Sequence, residues 1–221
     1  MRTITGWMAA GVLLAMALHA HADDAKGKRV IDNDRVTVWD LDLAQGERGI
    51  ASPANFDSVI LFLEGGEVRT SKNGGAASVT AHEFGDAVFV PKGSAITDTA
   101  TKGLVHEVMI ALKGGPVPPN PGPSGMPNSF PRVGATKMFE NDRAIAWKFC
   151  WPPGEATPMH HHDKDTVMSF RYDGPVRSTD PEGQVRILPF SKGMITYSKA
   201  GTTHSELLIG AQQCAADLEL K

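Results

Sequence analysis

The sequence has little cysteine and no excess of basic charge. Its two cysteines are too few for the disulfide framework that holds small secreted domains together. Lys and Arg number 22 against 25 Asp and Glu, and the basic residues are scattered, so nucleic acid is not an expected partner. With 41% hydrophobic residues among 221, the chain can bury a core as one larger domain or as two small ones.

The apolar run near the N-terminus is too short to span a bilayer. It covers residues 8–18, follows Arg2, and precedes Ala20-His21-Ala22, which has the small residues of a cleavage site. A membrane-spanning helix needs about 20 apolar residues. We therefore predict a signal peptide over residues 1–22, cleaved near Ala22 to give a periplasmic or secreted protein without a membrane attachment.

The two cysteines, Cys150 and Cys214, lie in segments that read as strands because apolar residues dominate or alternate around them. In an oxidising compartment an even pair can form a disulfide. Two separate buried thiols are the alternative. The sequence leaves both open, because the distance between the two residues is not encoded in their spacing.

The sequence contains an internal repeat. Residues 33–113 align without a gap on residues 141–221. The matches include Asn-Asp-Arg at both starts, Trp39 with Trp147, Leu-Lys at both ends and several glycines. Because glycine permits the backbone angles of turns, the shared feature is a pattern of bends. The repeat predicts a duplicated domain.

A proline-rich segment separates the two copies. Residues 114–131 hold seven of the chain's 15 prolines, which exclude regular helix and sheet and favour a stiff, extended connector. We predict an N-terminal domain over residues 28–113, a linker over 114–135 and a C-terminal domain over 136–221.

Each copy has the pattern of an all-β fold. Residues 58–63 (SVILFL) and 194–197 (MITY) are short, β-prone runs bounded by Gly, Pro or Asp. No long stretch shows a helical period of 3.6 residues. Several short strands at this spacing predict a small sandwich or barrel in each half.

The C-terminal copy resembles the cupin superfamily. Its first motif has Gly154, five residues, then His160-His161-His162, and ends at Gly174, while its second runs from Gly193 through Gly201 to His204. Both glycine and histidine spacings match the two cupin motifs, and the resemblance extends over both repeats. It implies two tandem cupin jelly-roll barrels, also called double-stranded β-helices, and leaves a homodimer open.

The same motifs predict a metal site. Residues two apart in a strand share a face, so His160 and His162 point together while His161 points away, and His204 can complete a facial triad. Imidazole ligands suit Fe(II), which we favour, as well as Zn, Mn, Ni or Cu. The alternative, a solvated polar run, does not account for His204 being in register.

Two family positions differ in this chain. The glutamate ligand of the family falls at about Val167, which cannot bind a metal, and the proline of the second motif is Lys199. Thr166, Asp165 and Asp163 are oxygen donors nearby. A site of three histidines, as some dioxygenases of the superfamily use, fits this pattern better than a site with a carboxylate.

The N-terminal copy lacks the ligands. Ser52, Ala54 and Ile96 occupy the positions of the three histidines in the repeat alignment. We therefore predict a degenerate barrel that is structural or closes a pocket.

Two charged residues are candidate helpers. If the strand after Val167 is regular, Arg171 shares its face and can bind a substrate carboxylate, while Glu206 shares the face of His204 and can act as a general base. Surface charges beyond the barrel rim are the alternative for both.

Two classes of function remain. The first is a metal-dependent enzyme acting on a small molecule. We favour a dioxygenase with an anionic substrate and place isomerase or decarboxylase chemistry second. The second is a non-catalytic periplasmic module that binds a metal or a small ligand.

Overall fold

The computed structural model describes residues 25–221, so the predicted signal peptide lies outside the described residues. Seventeen β-strands and no helix are found in this range. None of its segments is therefore a helix long and apolar enough to cross a membrane.

The strands divide between the two halves of the chain. The first half contains β1 (Lys28–Asp32), β2 (Val36–Leu43), β3 (Asp57–Glu64), β4 (Glu67–Lys72), β5 (Ala77–Ala81), β6 (Ala87–Val90), β7 (Ile96–Lys102) and β8 (Val105–Leu112). The second half contains β9 (Ala135–Glu140), β10 (Ala144–Cys150), β11 (His160–His161), β12 (Asp165–Phe170), β13 (Val176–Thr179), β14 (Val185–Leu188), β15 (Ile195–Ser198), β16 (Thr203–Leu208) and β17 (Cys214–Leu220).

Each half forms a barrel of two antiparallel sheets. In the first half the orders are β1-β2-β8-β3-β6 and β5-β4-β7, and in the second they are β9-β10-β17-β12-β15 and β14-β13-β16-β11. The two halves share one topology, with β11 as an addition in the second. This arrangement confirms the predicted all-β fold of two tandem jelly-roll barrels.

The repeat alignment corresponds to equivalent hydrogen-bonded ladders. Val36 pairs with Leu112 in the first barrel, and Ala144 pairs with Leu220 at the same place in the second. The gapless alignment is therefore maintained in three dimensions.

The two five-stranded sheets are buried on both faces. Ala216 and Leu218 of β17 pack with Val59 and Ile110 of the first barrel in a core shared by the two halves. The opposite face of the same sheet packs aromatic residues such as Phe170 inside the second barrel. A third core fills the first barrel. The central strands β8 and β17 are therefore buried along their whole length, as expected for strands covered on both sides.

The proline-rich segment contacts the second barrel closely. The Ser129 amide donates to the His161 carbonyl at 2.8 Å, and the His161 amide donates to the Pro127 carbonyl at 2.9 Å. Further along, the Asn120 amide donates to the carbonyl of Asp163 at 2.7 Å. The segment lacks regular strands, as its prolines predict, but it docks against β11 instead of spanning free space.

Cys150 and Cys214 form a disulfide. They are directly opposite each other in the β10–β17 ladder, with Cα atoms 4.0 Å apart. Of the two alternatives left open by the sequence, the structure has the bridge.

We expect no free thiol when the denatured protein is titrated without reductant. Because the bridge closes a loop of 64 residues, its loss should lower the free energy of unfolding by about 4 kcal/mol in the loop-entropy model. Denaturant unfolding of the wild type and of the Cys150→Ala, Cys214→Ala double variant measures this difference. Two titratable thiols in the untreated protein would contradict the structure.

A carboxyl group is buried inside the first barrel. Glu107 of β8 is fully buried, and neither of its carboxyl oxygens has a hydrogen-bond partner. Burial raises the pKa of Glu107 to about 9, and the nearby Asp98 carboxyl adds to this effect. Glu107 is therefore protonated in the folded protein at neutral pH.

The raised pKa predicts that Glu107 reduces stability as pH rises. The folded state keeps the proton up to about pH 9, whereas the unfolded chain releases it above about 4.5, so each pH unit between them costs about 1.4 kcal/mol. In Glu107→Gln the free energy of unfolding should fall less steeply with pH than in the wild type, by about 1.4 kcal/mol per pH unit. The exposed Glu182→Gln should leave the slope unchanged. Denaturant unfolding at pH 5, 7 and 8.5 measures both, and equal slopes in wild type and Glu107→Gln would refute the assignment.

Candidate metal centre

Three histidines of the second barrel converge on one point. His160 of β11 lies directly opposite His204 of β16 in the ladder. His162 follows β11, and its Nε2 atom lies 3.1 Å from Nε2 of His204. One ligand atom from each of the three side chains lies within 4.8 Å of the others. This arrangement can hold a metal ion.

The environment keeps these imidazoles neutral. Burial lowers the pKa of His160 to about 4 and that of His162 to about 2, with neighbouring positive groups adding to the effect. Burial also lowers the pKa of His204, although the Glu206 carboxylate partly offsets this. Neutral imidazole is the form that binds a metal ion, so burial prepares the ligands.

Neighbouring groups orient two of the rings. Nδ1 of His160 lies 2.8 Å from the Pro158 carbonyl oxygen, which can only accept a hydrogen bond. Neutral His160 therefore carries its proton on Nδ1 and presents the lone pair of Nε2. Nδ1 of His204 lies 3.1 Å from the Ser178 hydroxyl, which leaves its Nε2 directed at His162. The donor set fits a transition metal.

His161 faces the other way, as strand alternation predicts. Its Nδ1 lies 2.9 Å from the Thr203 hydroxyl, and its Nε2 lies 3.3 Å from the Asn120 carbonyl oxygen. The ring also packs against Gly122, where a Cβ atom would lie 2.7 Å from the imidazole. His161 therefore anchors the proline-rich segment and takes no part in the cluster.

The expected position of the missing carboxylate is shifted by one residue. Val167 lies in the core between the two barrels, packed with residues such as Ala216. Thr166 and Met168 instead line a cavity with His162. The expectation that the ligand position falls at Val167 is therefore wrong, because a one-residue offset in a strand exchanges its two faces. Thr166 occupies the inward position.

The other two oxygen donors have structural partners. Asp163 forms an ion pair with Lys164 at 2.8 Å and accepts a hydrogen bond from Asn128 at 3.1 Å. Asp165 accepts one from the Tyr197 hydroxyl at 2.7 Å. Among residues 25–221, the detected ligand cluster contains only the three histidines.

Glu206 lies at the site, as its alternation with His204 predicts. It is buried, and its Oε2 accepts a hydrogen bond from the Trp151 indole at 3.0 Å. The same oxygen pairs with Nη1 of Arg132 at 3.4 Å, and its other oxygen, Oε1, lies 3.8 Å from Nε2 of His204. Glu206 can therefore accept or hold a proton next to the cluster.

Arg171 is not at the site, and the prediction that it faces the barrel interior is wrong. Strand β12 ends at Phe170, and Arg171 continues the face of Val167 that points towards the first barrel. Its guanidinium lies 4.6 Å from the Phe84 ring and 4.0 Å from Glu64. Arg171 lines an open cleft between the halves, which does not include the histidines.

Sequence reasoning missed Arg132. This residue directly follows the proline-rich segment, within the predicted linker, and its guanidinium stacks 3.7 Å from the centre of the Phe149 ring. Its Nη1 lies 3.4 Å from both Glu206 Oε2 and His160 Nε2. A single arginine in a linker is not part of any periodic pattern or motif. Its position beside the histidines is therefore seen only in the structure, where the linker docks against the second barrel.

Two cavities adjoin the cluster. The larger, of about 610 Å³, is lined by His160, Arg132 and Phe149. The smaller, of about 170 Å³, is lined by His162 and His204 with other residues. His160 therefore adjoins the larger cavity, and His162 and His204 adjoin the smaller one.

The equivalent positions in the first barrel form the same backbone pairing without ligands. The Ser52 amide donates to the Ile96 carbonyl at 2.8 Å, and the Ile96 amide donates to the Ser52 hydroxyl at 2.9 Å. Serine and isoleucine thus stand where His160 and His204 stand in the second barrel.

The fold and the cluster define a class of protein with two jelly-roll barrels and, within residues 25–221, one candidate metal centre. No family model matches the sequence. The chain is 30% identical over 90 residues to beta-alanine degradation protein BauB of Pseudomonas aeruginosa, covering 41% of this chain and 90% of that protein.

Solved structures agree with this class. A cupin 2 conserved barrel domain protein from Leptotrichia buccalis is similar with a TM-score of 0.54 and 13% identity over 88% of both chains. A Bacillus subtilis oxalate decarboxylase with Mn(II) centres is similar with a TM-score of 0.59 and 10% identity, over 85% of this chain and 69% of that one. These similarities show that the chain has the fold of cupin barrels.

We expect the purified protein to bind close to one transition-metal ion per chain. His160→Ala, His162→Ala and His204→Ala should each lose the bound ion because each removes one of the three donors. His161→Gln, which changes the intervening residue, should retain it. Elemental analysis after dialysis measures all five proteins, and loss of metal in His161→Gln equal to that in the other variants would contradict the assignment.

Proposed function

We propose that this chain is an exported enzyme that uses one transition-metal ion, preferably Fe(II), held by His160, His162 and His204, for dioxygenation of a small anionic substrate. The observation that carries the proposal is the convergence of three neutral histidines beside an accessible cavity of about 610 Å³. Such a pocket is large enough for a small-molecule substrate.

The donor set supports an anionic substrate. A bound Fe(II) ion would supply Lewis acidity and a redox centre for dioxygen chemistry. Three neutral imidazoles add no negative charge to the site. The positive charge of a bound ion would therefore attract a thiolate, an enolate or a catechol-like acid at full strength. Arg132 lies beside the cluster and adds positive charge, which Glu206 partly offsets.

Glu206 is the proposed proton acceptor. The Trp151 indole and the Arg132 guanidinium both bind Oε2, which leaves Oε1 directed towards His204 at 3.8 Å. A protonated substrate group that reaches the smaller cavity, which Glu206 lines, can give its proton to this oxygen and become the anion that the site attracts. Glu206 is buried beside the Trp151 indole, which limits its contact with bulk water.

Two features support export. The N-terminal residues have the charge, apolar length and small-residue site of a signal peptide. The disulfide between Cys150 and Cys214 is of a kind that persists in oxidising compartments.

Small carboxylic acids are reasonable first candidates for the substrate. The relative BauB is named for beta-alanine degradation, and beta-alanine is a small carboxylic acid. Decarboxylation is the second candidate reaction, favoured by the structural similarity to an oxalate decarboxylase. A non-catalytic metal or ligand-binding module is the third alternative.

Oxygen uptake tests the proposal. Iron-loaded protein should consume dioxygen with at least one member of a panel of diketones, hydroxylated aromatic acids, small thiols and small carboxylic acids. His204→Ala should show no uptake, and Glu206→Gln should lower the rate about 100-fold while retaining the iron, because it removes a proton acceptor.

The same assay separates the alternatives. Release of carbon dioxide without oxygen uptake would replace dioxygenation with decarboxylation. No reaction across the panel, with ferrous iron shown to be bound, would contradict both and leave a binding module.

A further inference from the structure

We propose that Arg132 binds the carboxylate of a substrate that occupies the larger cavity, and that this cavity selects a monocarboxylate with an apolar body. This proposal rests on the proposed function and adds to it the class of the substrate and the cavity through which the substrate enters. It places the anion beside His160, between the proline-rich segment and the second barrel.

The position of Arg132 connects the cavity to the candidate metal centre. Arg132 and His160 both line the larger cavity, whereas His162, His204 and Glu206 line the smaller one. Nη1 of Arg132 lies 3.4 Å from Nε2 of His160. A ligand in the larger cavity therefore meets the guanidinium and one metal-binding histidine together.

The hydrogen-bonding capacity of Arg132 is poorly used by the protein. Its hydrogen bonds to Glu206 and His160 both start from Nη1, and both are long at 3.4 Å. Nε is buried and has no partner. A guanidinium has five N–H donors, and buried donors without acceptors are costly. A carboxylate bound in the two-pronged manner that guanidinium favours would satisfy this deficit.

Aromatic rings hold the guanidinium in place. Its central carbon lies 3.7 Å from the centre of the Phe149 ring and 4.8 Å from that of Phe130. Stacking of this kind fixes the plane of the guanidinium while leaving its edge free to donate. The Ser129 amide also ties the chain just before Arg132 to the His161 carbonyl. Arg132 is therefore positioned relative to β11 before any ligand arrives.

The cavity walls suit an apolar body with one negative charge. Pro127, Pro131, Val133, Phe149 and Pro152 contribute apolar surface. Glu155 is the only acidic residue among those that line this cavity. Its carboxylate would repel a second negative charge on the ligand, so a monocarboxylate fits better than a dicarboxylate.

Two probes of the same shape test the proposal: phenylacetate, which carries a carboxylate, and phenylacetamide, which is neutral. Zinc-loaded protein is used because zinc has no redox chemistry, so binding is measured without turnover. Calorimetric titration should show tighter binding of phenylacetate. Arg132→Gln should weaken phenylacetate binding by about 10- to 100-fold, the range expected for a charge-assisted hydrogen bond, and should leave phenylacetamide binding nearly unchanged.

Arg171→Gln is the matched control, because Arg171 also contacts aromatic rings and a glutamate but lies outside both histidine cavities. It should bind phenylacetate as the wild type does. Arg132→Lys keeps the charge without the planar fork and should give an intermediate affinity. Val133 lines the cavity and is 98% exposed, so the Val133→Glu variant should fold. Its added negative charge should weaken the binding of phenylacetate but not that of phenylacetamide. This variant tests the cavity even if Arg132→Gln does not fold.

Equal affinity of the wild type for the two probes would overturn the inference, as would unchanged phenylacetate binding in a folded Arg132→Gln. Failure of the proposed function is a separate result, seen as absence of zinc binding by the wild type or as absence of oxygen uptake by the iron-loaded protein. The two titrations on metal-free protein then still decide whether Arg132 recognises a carboxylate.

Discussion

The candidate site depends on the short pairing between β11 and β16. This ladder has two residue pairs, and one of them sets His160 opposite His204. In the first barrel Ser52 and Ile96 make the equivalent backbone contacts, but Ser52 lies outside any strand. The second barrel also bonds β11 to the proline-rich segment on its other side. A strand held from both sides fixes its side chains, which is what a preorganised ligand set requires.

The packing of the two barrels explains where the remaining residues lie. The five-stranded sheet of each half contributes to the shared core. Alternate residues of a strand in the second barrel therefore face either this shared core or the interior of their own barrel. Val167 faces the other barrel, and Thr166 faces the cavity beside His162. Arg171 follows the side of Val167 and so meets Glu64 of the first half. The duplication thus stabilises the fold and also determines which side chains reach the histidines.

The parts that sequence predicted are those with a local pattern. The repeat, the β-prone segments and the glycine and histidine spacings led to the two barrels and the histidine cluster. The assignment of Val167 failed because motif spacing does not define a strand face to within one residue. Arg132 could not be found in this way, since its position depends on hydrogen bonds such as that between Ser129 and His161, which join segments distant in the sequence. The disulfide stayed open for the same reason, because only pairing of β10 with β17 brings its cysteines together.

X-ray absorption spectroscopy of the zinc-loaded protein is the most direct test of a metal site formed by His160, His162 and His204. We expect multiple scattering from three imidazole rings, with zinc to nitrogen distances of about 2.0–2.1 Å. The remaining coordination should come from water or added ligand, and no sulfur should be present, since both cysteines are in the disulfide. A spectrum with fewer than three imidazoles, or with Glu206 shown to be a ligand by its loss in Glu206→Gln, would contradict a site made by His160, His162 and His204 alone.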